Sequence, residues 1–406
     1  MSTYLDDGGL GETPVQASPR DIEHISEIQT LPTKVATKAL APRITPPPAD
    51  DDEGFHSMSS PDMDPKFILP AEEATNTTNP ITTTNREEEN DESDDEFLPT
   101  GWDATSSYAS TSLTPSIYQH AYENGRRFHA YKHGRYPIPN DDLEQNREDM
   151  KHALMLELTD GKLFFAPIGD APKKVIDVGT GTGIWAIEMG DQFPGSEVLG
   201  LDLSPIQPQW VPPNVRFVID DVEDEWASGS GWDFVHFRSM ALVLRDLQRA
   251  VDQSFRHLKP GGWIEFQESH GLPQCDDGTM NPETDFATQY YNLCQEAMGK
   301  FGMDLSIGAS VGEYLTKAGF VNVSVIKKKA PLGTWPKDKT MRLIGLYTRE
   351  IALHSIRSMD KPFANLGLSE MEREVWGAKM RAAVKDNHVH RYYSYYFWYA
   401  QKPEEE

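Results

Sequence analysis

The stretch VIDVGTGTGIWAIEMGDQF, residues 175–193, determines the fold class. Its first five residues form a short, mostly apolar run that ends in glycine, which is typical of a buried strand. Trp185, Met189 and Phe193 then recur every four residues, the spacing that places side chains on one face of a helix. Glycines between a strand and a helix allow a tight turn and let a ligand approach the backbone closely. The free N–H groups at the start of the helix would face that ligand.

Strand and helix patterns alternate along the chain around this stretch. The predicted strands cover residues 175–179, 197–204, 215–221, 232–238, 263–269, 321–329 and 391–403. The predicted helices cover residues 141–158, 184–193, 247–258, 286–297 and 310–318. This alternation predicts an α/β fold with a mostly parallel, seven-stranded sheet and helices on both faces.

The first 100 residues differ in composition from the rest of the chain. The 406-residue protein has a formal net charge of −26, and residues 1–100 hold six basic and 22 acidic side chains, a net charge of −16. Only four aromatic residues occur there. Low hydrophobicity and like-charge repulsion leave too little apolar surface to offset the chain entropy of folding. We therefore predict a disordered acidic tail at residues 1–100 and a folded domain at residues 101–406.

The composition also argues against several functions. An acidic chain is poorly suited to direct nucleic-acid binding, because phosphate contacts come mainly from Lys and Arg. No apolar run reaches the ~18 residues that span a bilayer, and the acidic N-terminus MSTYLDDGGL does not resemble a secretory signal. Cys275 and Cys294 give neither a disulfide framework nor a metal-ligand spacing. We expect a protein of the cytoplasm or nucleus without a membrane or metal site.

The glycine-rich loop alone leaves two classes of cofactor open. The residues Gly181-x-Gly183-x-x-Ala186 fit the relaxed dinucleotide pattern of NAD enzymes. Asp202 ends the second predicted strand, 23 residues after Gly179. A carboxylate at that place accepts the ribose hydroxyls of an adenosine, which both classes of cofactor contain. An NAD-dependent oxidoreductase therefore remains an alternative at this point.

Three features favour S-adenosylmethionine (SAM). Asp220 and Asp221 end the third predicted strand, where an acidic residue is placed to meet the adenine amino group. The segment LKPGG, residues 258–262, precedes the fifth strand and resembles a turn of Rossmann-like methyltransferases. Asp177 stands just before the glycines. Because SAM carries no pyrophosphate, the loop backbone and Asp177 would instead hold its amino-acid end and sulfonium.

Four longer stretches resemble the LaeA-like fungal methyltransferases. They are VIDVGTGTGIWAIEMG, VLGLDLSPIQPQWVPPNVRFVIDDVEDEW, WDFVHFRSM and FRHLKPGGWIEFQE. The likeness runs from near residue 122 to the C-terminus, and its most family-specific block is SPIQPQWVPPN at residues 204–214. The resemblance implies a Rossmann-like class I methyltransferase of secondary metabolism with SAM as its cofactor. Carried over by position, it implies SAM contacts at Asp177, Gly179, Gly181, Gly183, Asp202, Leu203, Asp221, Val222 and Arg238.

The resemblance also assigns parts of the cofactor to these positions. The three glycines form the SAM loop, and Asp202 is the ribose acid. Asp221 and Val222 contact adenine, whereas Arg238 lies beside the methionine moiety.

The acceptor side of the reaction is less sharply defined. Glu268 and His270 lie at the end of the fifth predicted strand and are candidate bases, although methyl transfer does not always need one. We expect Tyr122 and Tyr131 in a lid, and Tyr290 in the insertion at residues 270–310, to contact the substrate.

Two functions follow from these expectations. One is methylation of a small-molecule acceptor, most plainly a fungal secondary metabolite. The alternative is a LaeA-like nuclear regulator that acts in a protein complex, with regulatory partners docking on the acidic tail.

Overall fold

The structure, a computed structural model, describes residues 119–404. The expected tail at residues 1–100 lies outside the described residues, and the expected domain at residues 101–406 is described from residue 119 to residue 404. Within this part, the strands are β1 (His120–Glu123), β2 (Arg126–His129), β3 (Lys174–Val178), β4 (Glu197–Asp202), β5 (Val215–Ile219), β6 (Trp232–Arg238), β7 (Leu258–Ser269), β8 (Val321–Pro331) and β9 (Tyr392–Gln401). The α-helices are α1 (Asp142–Leu158), α2 (Ile184–Gln192), α3 (Leu247–His257), α4 (Phe286–Gly299), α5 (Val311–Lys317), α6 (Lys339–Ser358), α7 (Asp360–Asn365) and α8 (Glu370–Lys385).

A seven-stranded sheet forms the centre of the described structure. Its strand order is β5-β4-β3-β6-β7-β9-β8, in which β3 to β7 pair in parallel and β9 pairs antiparallel with both neighbours. This confirms the predicted mostly parallel sheet. The order reverses direction between β3 and β6, and ligands of open α/β sheets bind outside the carboxyl ends of strands at such a point.

The glycine-rich stretch folds as its pattern predicts. The last four residues of β3 are buried, which explains their nearly continuous apolar character. Trp185 and Met189 of α2 are fully buried beneath the sheet edge, and the indole N–H of Trp185 donates to the carbonyl of Leu163 at 2.9 Å. The helical face expected from the four-residue spacing is therefore the face that packs on the core.

The LKPGG segment differs from the expected turn. Helix α3 ends at His257, and β7 already begins at Leu258 with an irregular register against β6. Gly261 has φ +72° and donates its N–H to the carbonyl of Lys402 at 3.0 Å. The segment is thus a bulged entry into the strand, tied to residues that follow β9.

A second apolar core, not predicted from the sequence, lies against β9. Helices α1, α4, α6 and α8 contribute Leu154, Cys294, Ile344 and Met380 to it, and Phe397 of β9 lies in the same cluster. Residues 332–390, between β8 and β9, therefore build a helical layer beside the sheet.

Candidate active site

A cleft opens at the carboxyl ends of β3, β4, β5 and β6. It is covered by residues 131–140, which we call the covering segment, and by α1. The residues that line it are Arg135, Tyr136, Pro139, Asn140, Glu144, Gln145, Glu148, Lys151, Gly179, Gly181, Leu201, Asp202, Leu203, Ser204, Ile206, Asp220, Asp221, Val222, Glu223, Arg238, Ser239, Met240, Val243 and Leu244.

The three glycines of the loop have different structural roles. Gly179 and Gly181 line the cleft with φ +74° and +58°, where other residues are strained. A Cβ on Gly181 would have no atom within 4 Å, so the loop leaves open space beside its backbone. Gly183, at φ +82°, starts α2, and a Cβ there would lie 2.5 Å from the Phe217 ring. Its smallness serves packing against β5.

Asp202 fixes this loop from the neighbouring strand. One carboxylate oxygen accepts the N–H of Gly181 at 2.8 Å, and the other accepts the N–H of Ser204 at 2.9 Å. Burial raises the pKa of Asp202 to about 6, although both N–H donors oppose the shift. Each oxygen keeps a lone pair for a further donor in the cleft.

Asp177 is placed beneath the loop and is not among the residues that line the cleft. Its carboxylate accepts the hydroxyl of Thr180 at 2.6 Å and lies 2.8 Å from Nδ1 of His236. His236 is buried and stacks on Trp185 with ring centres 3.7 Å apart. The expected direct contact between Asp177 and a cofactor is therefore replaced by a supporting role, because both oxygens face protein donors.

Ion pairs hold the covering segment against the end of β5. Asp221 accepts the ammonium of Lys132 at 3.0 Å and lies 3.1 Å from Nε of Arg135. Burial would raise the pKa of Asp221, but the Glu223 N–H and the two cations hold it below its usual value. Asp220 also lines the cleft, and its Oδ2 has no hydrogen-bond partner among residues 119–404. Of the two adjacent acids, Asp220 thus has the more available oxygen.

The family-specific block at residues 204–214 supports the loop from the other side. The Gln207 side chain donates to the carbonyl oxygens of Gly181 at 2.7 Å and Ser204 at 2.9 Å. Ile206 lines the cleft, whereas Trp210 is 93% exposed.

Helix α1 and Asn140, which precedes its N-cap, contribute side chains to the cleft that were not predicted as site residues. Asn140 is buried, and its side-chain oxygen accepts Nε of Arg127 at 3.3 Å. Because arginine only donates, this contact fixes the orientation of the amide. Its Nδ2 then has no partner in the described part of the chain, and Asn140 lines the cleft. A buried donor without a partner at a cleft wall is a site for a ligand oxygen.

A second, more apolar cavity adjoins the cleft. The two share the lining residues Tyr136, Glu148, Lys151, Ser239 and Val243. Of these, Ser239 has φ +55°, a strained conformation of the kind that clusters at functional sites. The remaining lining residues are Ile138, Arg147, Leu154, Leu242, Ser269, His270, Gly271, Tyr291, Met298, Leu305, Thr348, Ile351, Ala352, Ser355, Ser358, Met359, Tyr393 and Tyr395.

Of the predicted acceptor-side residues, the structure brings only His270 to this cavity. Tyr122 lies on β1 with 72% of its surface exposed. The ammonium of Lys132 lies over the ring of Tyr131, and Tyr131 lines neither the cleft nor the cavity. Tyr290 is 1% exposed and packs on Phe363, so it is a core residue. These three predictions require correction.

Glu268, the other candidate base, is also a structural residue. It is fully buried, and one carboxylate oxygen accepts the N–H groups of Met240 and Ala241 at 2.9 and 3.0 Å. Burial raises its pKa to about 7, but it is not among the residues lining either space. It shapes the loop after β6, which carries Ser239 and Met240 into the cleft.

Arg238 lines the cleft, and one guanidinium nitrogen lies 2.8 Å from Nδ1 of His152 on α1. Leu203 and Val222 also line the cleft. Among residues 119–404, no helix is both long and apolar enough to cross a membrane, and no cluster of three or more His, Cys, Asp or Glu residues is arranged to hold a metal.

Comparisons with known proteins agree with this architecture. A family model described as a methyltransferase domain matches residues 147–325. The methyltransferase pytC of Aspergillus terreus is 38% identical over 296 residues, which cover 72% of this chain and 91% of pytC. The secondary metabolism regulator laeA of Aspergillus fumigatus is 30% identical over 312 residues, with 74% and 83% covered. The protein-methionine methyltransferase laeA of Emericella nidulans is 29% identical over 287 residues, with 69% and 76% covered.

The sheet order, the glycine-rich loop and the matched domain define a class I, SAM-dependent methyltransferase. The chain belongs to the LaeA-like family of fungal methyltransferases. The resemblance to this family is thereby confirmed, with SAM as the cofactor.

Proposed function

We propose that the cleft holds SAM and that the protein transfers its methyl group to a largely apolar small molecule bound in the adjoining cavity. SAM supplies an activated methyl group on a sulfonium cation. The task of the protein is to align the nucleophile and exclude water. The observation that carries the proposal is the joining of an apolar cavity to the cleft through five shared residues.

The groups in the cleft fit the parts of SAM. Asp202 is placed to accept the ribose hydroxyls, and Asp220, with its available oxygen, is placed to accept from the adenine amino group beside Val222. Gly179, Gly181 and Arg238 are assigned to the methionine end. The buried Nδ2 of Asn140 offers a donor to a cofactor oxygen.

Charge supports the same assignment. The cleft is lined by six carboxylates and three cationic side chains. The carboxylates are Glu144, Glu148, Asp202, Asp220, Asp221 and Glu223, and the cations are Arg135, Lys151 and Arg238. An excess of negative charge favours a sulfonium ligand over the dianionic pyrophosphate of NAD.

The affinity for SAM should fall at mildly acidic pH. The pKa of Asp202 is raised to about 6 by burial, so the carboxylate is protonated as pH falls through that value. A protonated acid loses charge-assisted acceptance of the ribose hydroxyls, and the affinity should decline by at most about tenfold per pH unit below 6. Calorimetry with S-adenosylhomocysteine (SAH) between pH 5 and 8 measures this, and Asp202→Asn should show a weaker, flatter profile.

The effect of lower pH on the stability of the fold is opposite to its effect on SAM affinity. Because the pKa of Asp202 lies above the ordinary value of an aspartate, the folded chain binds more protons than the unfolded chain between those two values. The contribution of Asp202 to the free energy of unfolding therefore increases as pH falls between those two pKa values. Loss of SAM affinity without loss of folded protein is the expected combination.

A protein acceptor is the alternative function. It is favoured by the relative from Emericella nidulans, which is named a protein-methionine methyltransferase, and by the 93% exposure of Trp210 in the family-specific block. An exposed aromatic side chain is a common element of protein interfaces. In this case the protein would act in a regulatory complex in the nucleus.

Metabolite profiling with methyl-labelled methionine distinguishes the two functions. The native host is grown with the intact gene, with the gene deleted, and with Asp202→Ala in its place. A small-molecule methyltransferase predicts that both mutant strains lose one labelled methyl group from one product and accumulate its unmethylated precursor. Loss of many unrelated metabolites without such a precursor would contradict the proposal and favour the regulator.

A further inference from the structure

Lys151 lies at the boundary between the cleft and the cavity. It lies on α1, lines both the cleft and the cavity, and has 18% of its side chain exposed. Its ammonium lies 3.1 Å from Oε2 of Glu148, and Glu148 also pairs with Arg147. Arg147 also pairs with Glu144 of the cleft, so Glu148 is the carboxylate that faces Lys151 where donor and acceptor would meet.

The charge of the cavity differs from that of the cleft. Arg147 and Lys151 face the cavity with Glu148 as the one carboxylate among its lining residues. The lining from α6 contributes Thr348, Ile351, Ala352, Ser355 and Ser358, none of which carries charge. Burial above all, together with the nearby Arg147 and Arg238, lowers the pKa of Lys151, whereas Glu148 raises it. An acceptor with a negative oxygen would be favoured here, and a cationic amine would be repelled.

We propose that the cavity takes an apolar acceptor bearing an acidic hydroxyl, a phenol or an enol, and that the Lys151 ammonium binds its oxygen as the anion. This inference rests on the proposed function of the cleft and the cavity, and it specifies the substrate class. Aromatic and Met side chains, among them Tyr291, Tyr395 and Met298, provide surfaces for a flat apolar ring.

Methyl transfer to such an acceptor requires no base from the protein. As the acceptor binds, its hydroxyl proton passes to bulk solvent, and the oxyanion pairs with Lys151. An oxygen electron pair then forms the bond to the methyl carbon, while the carbon–sulfur bond breaks and its electron pair remains on sulfur. The cationic donor and the anionic acceptor become a neutral thioether and a neutral methyl ether, so Lys151 keeps its proton and returns to Glu148.

Binding of 4-nitrophenol to the SAH-loaded protein tests this assignment, because its absorbance reports the anion directly. The wild-type protein should increase the ionised fraction of bound 4-nitrophenol relative to free 4-nitrophenol at the same pH. Lys151→Met should lower the affinity for the anion by about tenfold or more, as loss of a charge-assisted hydrogen bond predicts. Lys151→Arg should retain most of the shift.

Controls separate this inference from the function on which it rests. Lys300→Met removes an exposed lysine after α4 and should change nothing. 4-Nitroanisole, the methylated form of the probe, should bind the wild type and Lys151→Met equally. If SAH binds but 4-nitrophenol does not bind at about 1 mM, or if Lys151→Met shifts its ionisation as the wild type does, the substrate assignment is wrong. If SAH itself does not bind, the proposed function fails first.

Discussion

Replacing Asp202 by alanine is expected to weaken SAH binding by about 1.5–3 kcal/mol, the usual contribution of hydrogen bonds to a charged group. Asp202 lines the cleft and holds the N–H groups of Gly181 and Ser204. In the proposed arrangement its removal withdraws the ribose acceptor and frees the loop assigned to the methionine end. Calorimetric titration of the purified variant at neutral pH measures the loss.

Asp191→Ala provides a matched control for this change. Asp191 is an exposed aspartate on α2, away from the lining of the cleft, so its removal should leave the affinity within about twofold. Thermal unfolding of both variants checks that they are folded. Equal affinity of Asp202→Ala and the wild type would place the ribose elsewhere.

Replacing Glu268 by alanine is expected to lower the free energy of unfolding by about 2–4 kcal/mol. Two buried N–H groups, those of Met240 and Ala241, would lose their acceptor at once. A buried donor without a partner costs its full desolvation. Chemical denaturation of the wild type and the variant measures the difference.

Glu268→Gln distinguishes this structural role from a catalytic one. The amide oxygen of glutamine can accept the same two N–H groups, and burial already raises the pKa of Glu268 to about 7, so a neutral side chain suits the site. Because Oε2 of Glu268 has no partner in the described part of the chain, the glutamine NH2 would be left unpaired there, and we expect a loss of about 1–2 kcal/mol, smaller than that of Glu268→Ala, with methyl transfer retained. Normal stability of both variants with loss of turnover in both would instead identify Glu268 as a base.

The sheet and the glycine-rich loop could be predicted because their signals are local. The first parallel strands, β3 and β4, are short and mostly apolar, and the glycine spacing after β3 specifies a turn within nine residues of chain. The helical layer at residues 332–390 escaped prediction, since its apolar face is defined only by packing on β9.

The site could be predicted only where the backbone alone positions it. The place of Asp202 in the cleft follows from its position at a strand end. The ion pair between Asp221 and Lys132, in contrast, joins residues that lie 89 positions apart in the chain. Tyr291 lines the cavity while Tyr290 lies in the core, and one step along a helix turns a side chain by about 100°. Sequence spacing did not determine which of the two faces the cavity.

The first turns of α1 carry polar side chains that the structure buries. The segment DLEQNREDMKH is polar on nearly every side, although Glu144 and His152 are buried. A buried helix without a clear apolar face must satisfy its polar groups internally or with a ligand. Only the structure shows this burial, so the sequence alone does not identify α1 as a wall of the cleft.

Calorimetric titration of the full-length protein with SAM, SAH and NADH tests the central claim most directly. The structure and the family predict low-micromolar binding of SAM and SAH, about −7 to −8 kcal/mol, and no competition by NADH. Tight binding of NADH, with neither SAM nor SAH bound, would contradict it.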